Sequence, residues 1–147
     1  MCPLLTTTMR NELRRLIGTA AAIVLLGCGD HPFTPSVMDV AGSYTATTFT
    51  STTAGTATDQ LAQGASFIVT LAADGSTTGR LFVPGGAEGG GDLDADMAGT
   101  WTLTGRTVRF AQTADTFVHD MPFTAEPTRL SGEATFQGTT IRVILRK

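Results

Sequence analysis

The chain has 147 residues, 41% of them hydrophobic and 16% charged, with a formal net charge of −3. An acidic chain without a basic run is a poor partner for nucleic acid or for an anionic lipid surface, and both classes are set aside. Its two cysteines are Cys2 and Cys28, too few and too close to the N-terminus to staple a downstream domain, which must rely on its core and on backbone pairing.

Residues Met9 to Gly27 divide into three parts. Arg10, Arg14 and Arg15 form a basic segment, Leu16 to Leu26 an apolar run, and Gly27-Cys28 a small-residue junction. That order is the outline of a secretory signal peptide, over residues 1–27, with Met9 as the better start. The apolar run is shorter than the roughly 20 residues a membrane-spanning helix needs. Leu25-Leu26-Gly27-Cys28 resembles the lipobox of bacterial lipoproteins. The resemblance implies that Cys28 carries a diacylglyceryl group and further acylation, becomes the first mature residue, and ties the chain to a membrane of the bacterial cell envelope. Stable anchoring takes more than one acyl chain, which this modification supplies. Gly29, in place of an Asp, favours the outer over the inner membrane, facing the periplasm or the cell surface.

Removing residues 1–27 leaves 120 residues, enough for one domain, with seven basic and twelve acidic groups and a net charge of −5. Gly29 to Asp39, with Pro32 and Pro35, is expected to be an extended tether. Thr and Gly abound from there on, suiting pleated surfaces and turns. The periodicity predicts strands at Val40–Phe49, with Tyr44 and Ala46 on one face, and at Ser66–Leu71, with Phe67, Val69 and Leu71 together. Thr50–Gln63 between them is expected to be a loop. Asp74-Gly75 predicts a hairpin returning through Thr78–Val83. Gly85–Asp96 is an acidic, Gly-rich loop. Further strands are expected at Met97–Leu103, Thr107–Phe110, Thr116–Phe123, Leu130–Phe136 and Thr139–Leu145.

Eight short strands joined by turns predict an all-β, antiparallel fold: an up-and-down meander over residues 40–147 closing into a small barrel, or else a β-sandwich. Two stretches echo each other, Val40-Ala41-Gly42-Ser43-Tyr44-Thr45 and Met97-Ala98-Gly99-Thr100-Trp101-Thr102. In each a bend at glycine precedes an inward aromatic. Gly42-Ser43-Tyr44 resembles the Gly-x-Trp motif on the first strand of lipocalins. That resemblance implies an eight-stranded barrel able to hold a small apolar ligand, and a basic residue late in the last strand, Arg142 or Arg146, packed over Tyr44.

The candidate ligand-lining residues are Tyr44, Phe67, Val69, Leu81, Trp101, Leu103, Phe110 and Phe136. Ala46, Gly79, Gly132 and Ala134 are small enough to open space beside them. If the barrel is filled instead, function falls to surface contacts with another envelope protein through residues 50–65 and 84–98. Asp92, Asp94 and Asp96 alternate as cation ligands would, but Met97 and Leu103 stand where an EF-hand needs Gly and Glu. His119-Asp120, adjacent on an expected strand, would point to opposite faces. No nucleophile elbow and no zinc-ligand set is present. The expectation is a binding or contact module without cofactor, and not an enzyme.

Overall fold

The computed structural model describes residues 33–147. The expected signal peptide and the lipobox-like Leu25-Leu26-Gly27-Cys28 lie outside the described residues. In chain order the elements are α1 (Val37–Val40), β1 (Gly42–Thr53), β2 (Thr56–Asp59), β3 (Ser66–Leu71), β4 (Ser76–Val83), β5 (Leu93–Asp96), β6 (Gly99–Thr104), β7 (Thr107–Gln112), α2 (Phe117–Asp120), β8 (Phe123–Glu126), β9 (Arg129–Phe136) and β10 (Thr139–Arg146).

All strands join in one antiparallel sheet of order β10-β9-β8-β7-β6-β4-β3-β1, and β10 pairs β1 to close it. The result is an eight-stranded up-and-down barrel with two extra strands, a lipocalin-like architecture. Closure removes the free edges that an open sheet would expose. The two extra strands share edges with barrel strands. β2 pairs the last four residues of β1, while β3 takes Gly42–Thr45 on the same side. β5 pairs the end of β4, while β6 takes its first two residues.

One end of the barrel is closed. There α1 is held by a capping box, in which Ser36 and Asp39 satisfy each other's backbone and side-chain groups. Val40 is buried beneath it, and Pro35 is buried ahead of it. Part of the expected tether is therefore packed against the barrel. The turns β3–β4, β6–β7 and β8–β9 lie at this end, because β4, β7 and β9 all start from it. The opposite end, the mouth, carries the β1–β2 turn, the β2–β3 loop, the β4–β5 loop, α2 and the β9–β10 turn.

Three expectations are corrected at the mouth. Residues 50–63 are largely strand, because β1 runs on to Thr53 and turns back through Ala54-Gly55, both at positive φ, into β2. Leu93–Asp96, expected as loop, pairs with Arg80–Val83. Thr116–Phe123 is not a strand. Val118 and Met121, three residues apart, are both buried, a helical spacing, and Pro122 stops the turn. The sixth barrel strand begins only at Phe123.

The core is continuous through the barrel. Tyr44, Phe67, Leu71, Leu81, Met97, Phe123, Leu130 and Leu145 are its largest fully buried side chains other than Phe49 and Met121 near the mouth. The two echoed stretches adopt equivalent roles: Val40 and Met97 are buried, as are Tyr44 and Trp101. At Gly99 the backbone of β7 comes so close that a Cβ would lie 2.4 Å from the Ala111 carbonyl oxygen. Only glycine fits such an approach.

Candidate ligand site at the barrel mouth

The residues expected to line a lumen are packed against one another. Tyr44, Phe67, Val69 and Leu81 are at most 1% exposed, and Trp101 and Phe110 are buried on the adjoining wall. Leu103 and Phe136 are half-buried. The small residues do not open space in the middle. A Cβ at Gly79 would lie 2.1 Å from the Ile68 carbonyl oxygen, so the missing side chain admits the β3 backbone. At Gly132 the corresponding space is taken by Met121 and Phe123.

Room exists instead at the mouth. A partly open recess of about 290 Å³ is walled by Phe49 and Ser51 of β1, Gln60, Val83 to Gly86, Leu93, Phe117 of α2 and Ile141 of β10. None of the eight residues expected to line the lumen borders it. Phe49 and Phe117 meet with ring centroids 5.6 Å apart. The polar atoms in this apolar wall are organised. Gln60 Nε2 donates to Ser51 Oγ at 2.7 Å, and the Gln60 amide N–H donates to the Phe49 carbonyl at 2.8 Å. The lip is tied by Asp92, whose Oδ1 accepts from the Gly85 N–H at 2.9 Å.

Phe49 and Ser51 face this recess because of a single extra residue. Ala46 pairs with Leu145 and Thr48 with Ile144, so Thr47 is bulged out of register. A bulge inverts which side chains point inward. Tyr44 and Ala46 face inward before it, Phe49 and Ser51 after it. Strict alternation from Tyr44 hides both, and Gln60 and Leu93 lie in stretches whose composition predicts loops.

Beneath α2 lie polar groups without partners among the described residues. Gln112 follows Val108 and Phe110 on the inward face of β7, is 8% exposed, and neither of its amide atoms is hydrogen-bonded. The Thr116 hydroxyl beside α2 is likewise buried and unpartnered.

The closed end is a hydrogen-bonded plug. Tyr44 Oη donates to the Val40 carbonyl at 2.7 Å, and burial pushes its hydroxyl pKa up to about 12. Trp101 Nε1 donates to the Ala72 carbonyl at 2.8 Å. The cation over the Tyr44 ring is Lys147, its Nζ 5.5 Å from the centroid, and not Arg142 or Arg146. Val143 and Leu145 point inward, so Arg142 and Arg146 point out and Lys147 falls on the inner parity. Arg142 faces Glu133 across the outer surface at 3.9 Å.

The remaining polar motifs are dispersed. Asp94 is paired with Arg80, whose guanidinium holds the carboxyl below its ordinary range. Asp92 ties the lip, and Asp96 Oδ1 accepts from the Ala98 N–H at 2.9 Å. His119 and Asp120 do meet, Nδ1 to Oδ1 at 3.0 Å, because they lie on a helical turn and not on a strand. Both side chains are exposed. Among the described residues no three His, Cys, Asp or Glu side chains gather where they could hold a metal ion. No protein-family model, curated protein or solved structure matches this chain.

Proposed function

We propose that the chain is a lipoprotein of the bacterial cell envelope, anchored through acyl chains on Cys28, whose barrel binds a small apolar ligand at its mouth. The mouth recess carries this reading. An engineered apolar cavity of roughly 150 Å³ takes one benzene. The recess, about 290 Å³, suits a fused bicyclic ring or one short alkyl segment, with the rest of a longer molecule projecting outward. Six apolar side chains supply the burial, and the Ser51–Gln60 pair offers a polar contact at one side. The mouth loops and α2 carry Glu88, Asp92, Asp115 and Asp120 and neither Lys nor Arg. A carboxylate-headed ligand is disfavoured there, and a neutral one favoured. The reading assigns no reaction and no cofactor.

The filled middle of the barrel supports a second reading, a solid domain that contacts another envelope protein through its mouth loops. One experiment separates the two. The full chain is purified from a bacterial envelope in mild detergent and examined by native mass spectrometry. The ligand reading expects the acyl mass on Cys28 and an additional non-covalent mass that leaves on mild activation. An acylated polypeptide that takes up neither neutral isoprenoids nor bicyclic aromatics would leave the contact domain as the function.

A further inference from the structure

The two ends of the barrel differ in charge and in what they expose. At the closed end, Arg106, Arg129, Arg146 and Lys147 stand against Asp39, Asp74 and Glu126, four basic groups against three acidic. The mouth loops and α2 hold four acidic groups, Glu88, Asp92, Asp115 and Asp120, and no Lys or Arg, with Arg109 of β7 bordering the same pocket as Asp120. The basic groups form one neighbourhood. Arg106, Arg129 and Arg146 all act on the Glu126 carboxylate and hold it below its ordinary range, and the Lys147 N–H donates to the Thr128 carbonyl at 3.1 Å in the same turn. Lys147 Nζ in turn donates to the Asp39 carbonyl of α1.

That helix carries the second observation. Val37 and Met38 are 42% and 73% exposed, two of only three large apolar side chains so exposed among the described residues. Val37 borders a recess with Ala73, Asp74 and Leu103 at this same closed end, and Asp39 of the same helix is the residue that Lys147 reaches. The chain leading to Cys28 also leaves from here. Phe33 is already part of the described domain and Pro35 is buried, so five residue steps separate Cys28 from Phe33. Fully extended, these span at most about 17 Å.

We infer that the closed end is the membrane-docking face of this domain, with Arg106 and Arg146 on anionic headgroups, Val37 and Met38 in the interface, and the mouth turned away from the bilayer. The inference rests on the lipoprotein reading for its tether, but its charge and apolar arguments stand on the described domain alone. The net charge of the whole domain disfavours an anionic surface; the distribution along the barrel axis reverses that at one end. An anionic bilayer attracts the basic turn and repels the mouth, and a short tether keeps the two surfaces within about two Debye lengths of roughly 8–10 Å each, where such forces still act. The ligand then reaches the recess from the aqueous side or from a soluble partner, and not by lateral entry from the anchoring membrane.

The test places a single environment-sensitive fluorophore at Met38→Cys or at Glu88→Cys, in the acylated chain expressed with Cys2→Ser so that an unprocessed leader carries no second thiol, on vesicles containing phosphatidylglycerol. The label at position 38 is expected to shift to the blue and to be quenched from the lipid phase. The label at 88 is expected to stay open to an aqueous quencher. Arg106→Glu with Arg146→Glu should weaken the lipid contact of position 38 by about tenfold, as should neutral phosphatidylcholine vesicles. A label at 88 that meets lipid, or two labels equally aqueous, overturns the inference. Intact mass reports acylation separately. If Cys28 proves unmodified, the same labels in a Cys28→Ser chain are mixed with the anionic vesicles. Binding through position 38 then upholds the docking face while the anchor reading falls, and no binding refutes the face as well.

Discussion

Tyr44 gives the closed end a pH dependence that can be read from one residue. Its ring is 1% exposed, its hydroxyl donates to Val40, and burial lifts its pKa to about 12 against an ordinary value near 10. The unfolded chain ionises this phenol first. Its contribution to stability is therefore whole below pH 10 and is lost as pH rises through about 12. Two pKa units correspond to about 2.7 kcal/mol, an upper figure for a group at the barrel end. The chain contains one tyrosine, so phenolate absorbance reports this titration without overlap. Urea unfolding of wild type should weaken by about 2 kcal/mol across that window relative to Tyr44→Phe. At neutral pH the same substitution should cost about 1 kcal/mol for the lost hydrogen bond. Lys147→Met separates the phenol's contribution from that of the ammonium 5.5 Å from its ring centroid. A phenol that ionises near pH 10 in the folded protein, with no excess alkaline loss over Tyr44→Phe, would refute the buried plug.

Other consequences are equally direct. Gly79→Ala places a Cβ 2.1 Å from the Ile68 carbonyl oxygen at a φ of +144°, and should cost about 3 kcal/mol or more in chemical denaturation; a change under about 1 kcal/mol would show that β3 and β4 are not so close. Gln112→Leu removes an amide with two unpaired buried atoms. It should stabilise the protein by about 1–2 kcal/mol, raising Tm by about 5 °C, whereas a loss would show that the amide is satisfied in solution. Deleting Thr47 removes the bulge and should turn Phe49 and Ser51 outward. A cost of about 3–5 kcal/mol is expected from the lost aromatic burial, and a near-neutral deletion would contradict the register of the recess.

How far the sequence reveals this barrel follows from where its periodicity holds. Phe67, Val69 and Leu71 alternate without interruption, and the Asp74-Gly75 turn joins β3 to β4 as its sequence suggests. The meander order is legible because neighbouring strands pair through short turns. The site is less legible because each residue that builds it depends on a break in that pattern. Thr47 shifts the parity of β1 and exposes Phe49 to the recess. Val118 and Met121 follow a helical spacing within a stretch of strand-like composition. Leu93 lies beyond a Gly-rich loop whose return to the sheet is fixed by β4 and not by its own residues. Lys147, by contrast, was available from parity alone, two residues beyond the inward Leu145.

In the proposed function the mouth recess, and not the packed middle, is where a ligand sits. The most direct measurement is the affinity of one neutral bicyclic fluorescent probe for wild type and for Ile141→Trp, with Ile68→Ala as the control. Ile141 borders the recess, and Ile68 is 49% exposed on the outer face. The larger indole projects into and narrows a recess of about 290 Å³. Binding should fall by about tenfold or more for Ile141→Trp, with unfolding midpoints near wild type, and should be unchanged for Ile68→Ala. Equal affinity in wild type and Ile141→Trp would place the ligand elsewhere and contradict the assignment of this site.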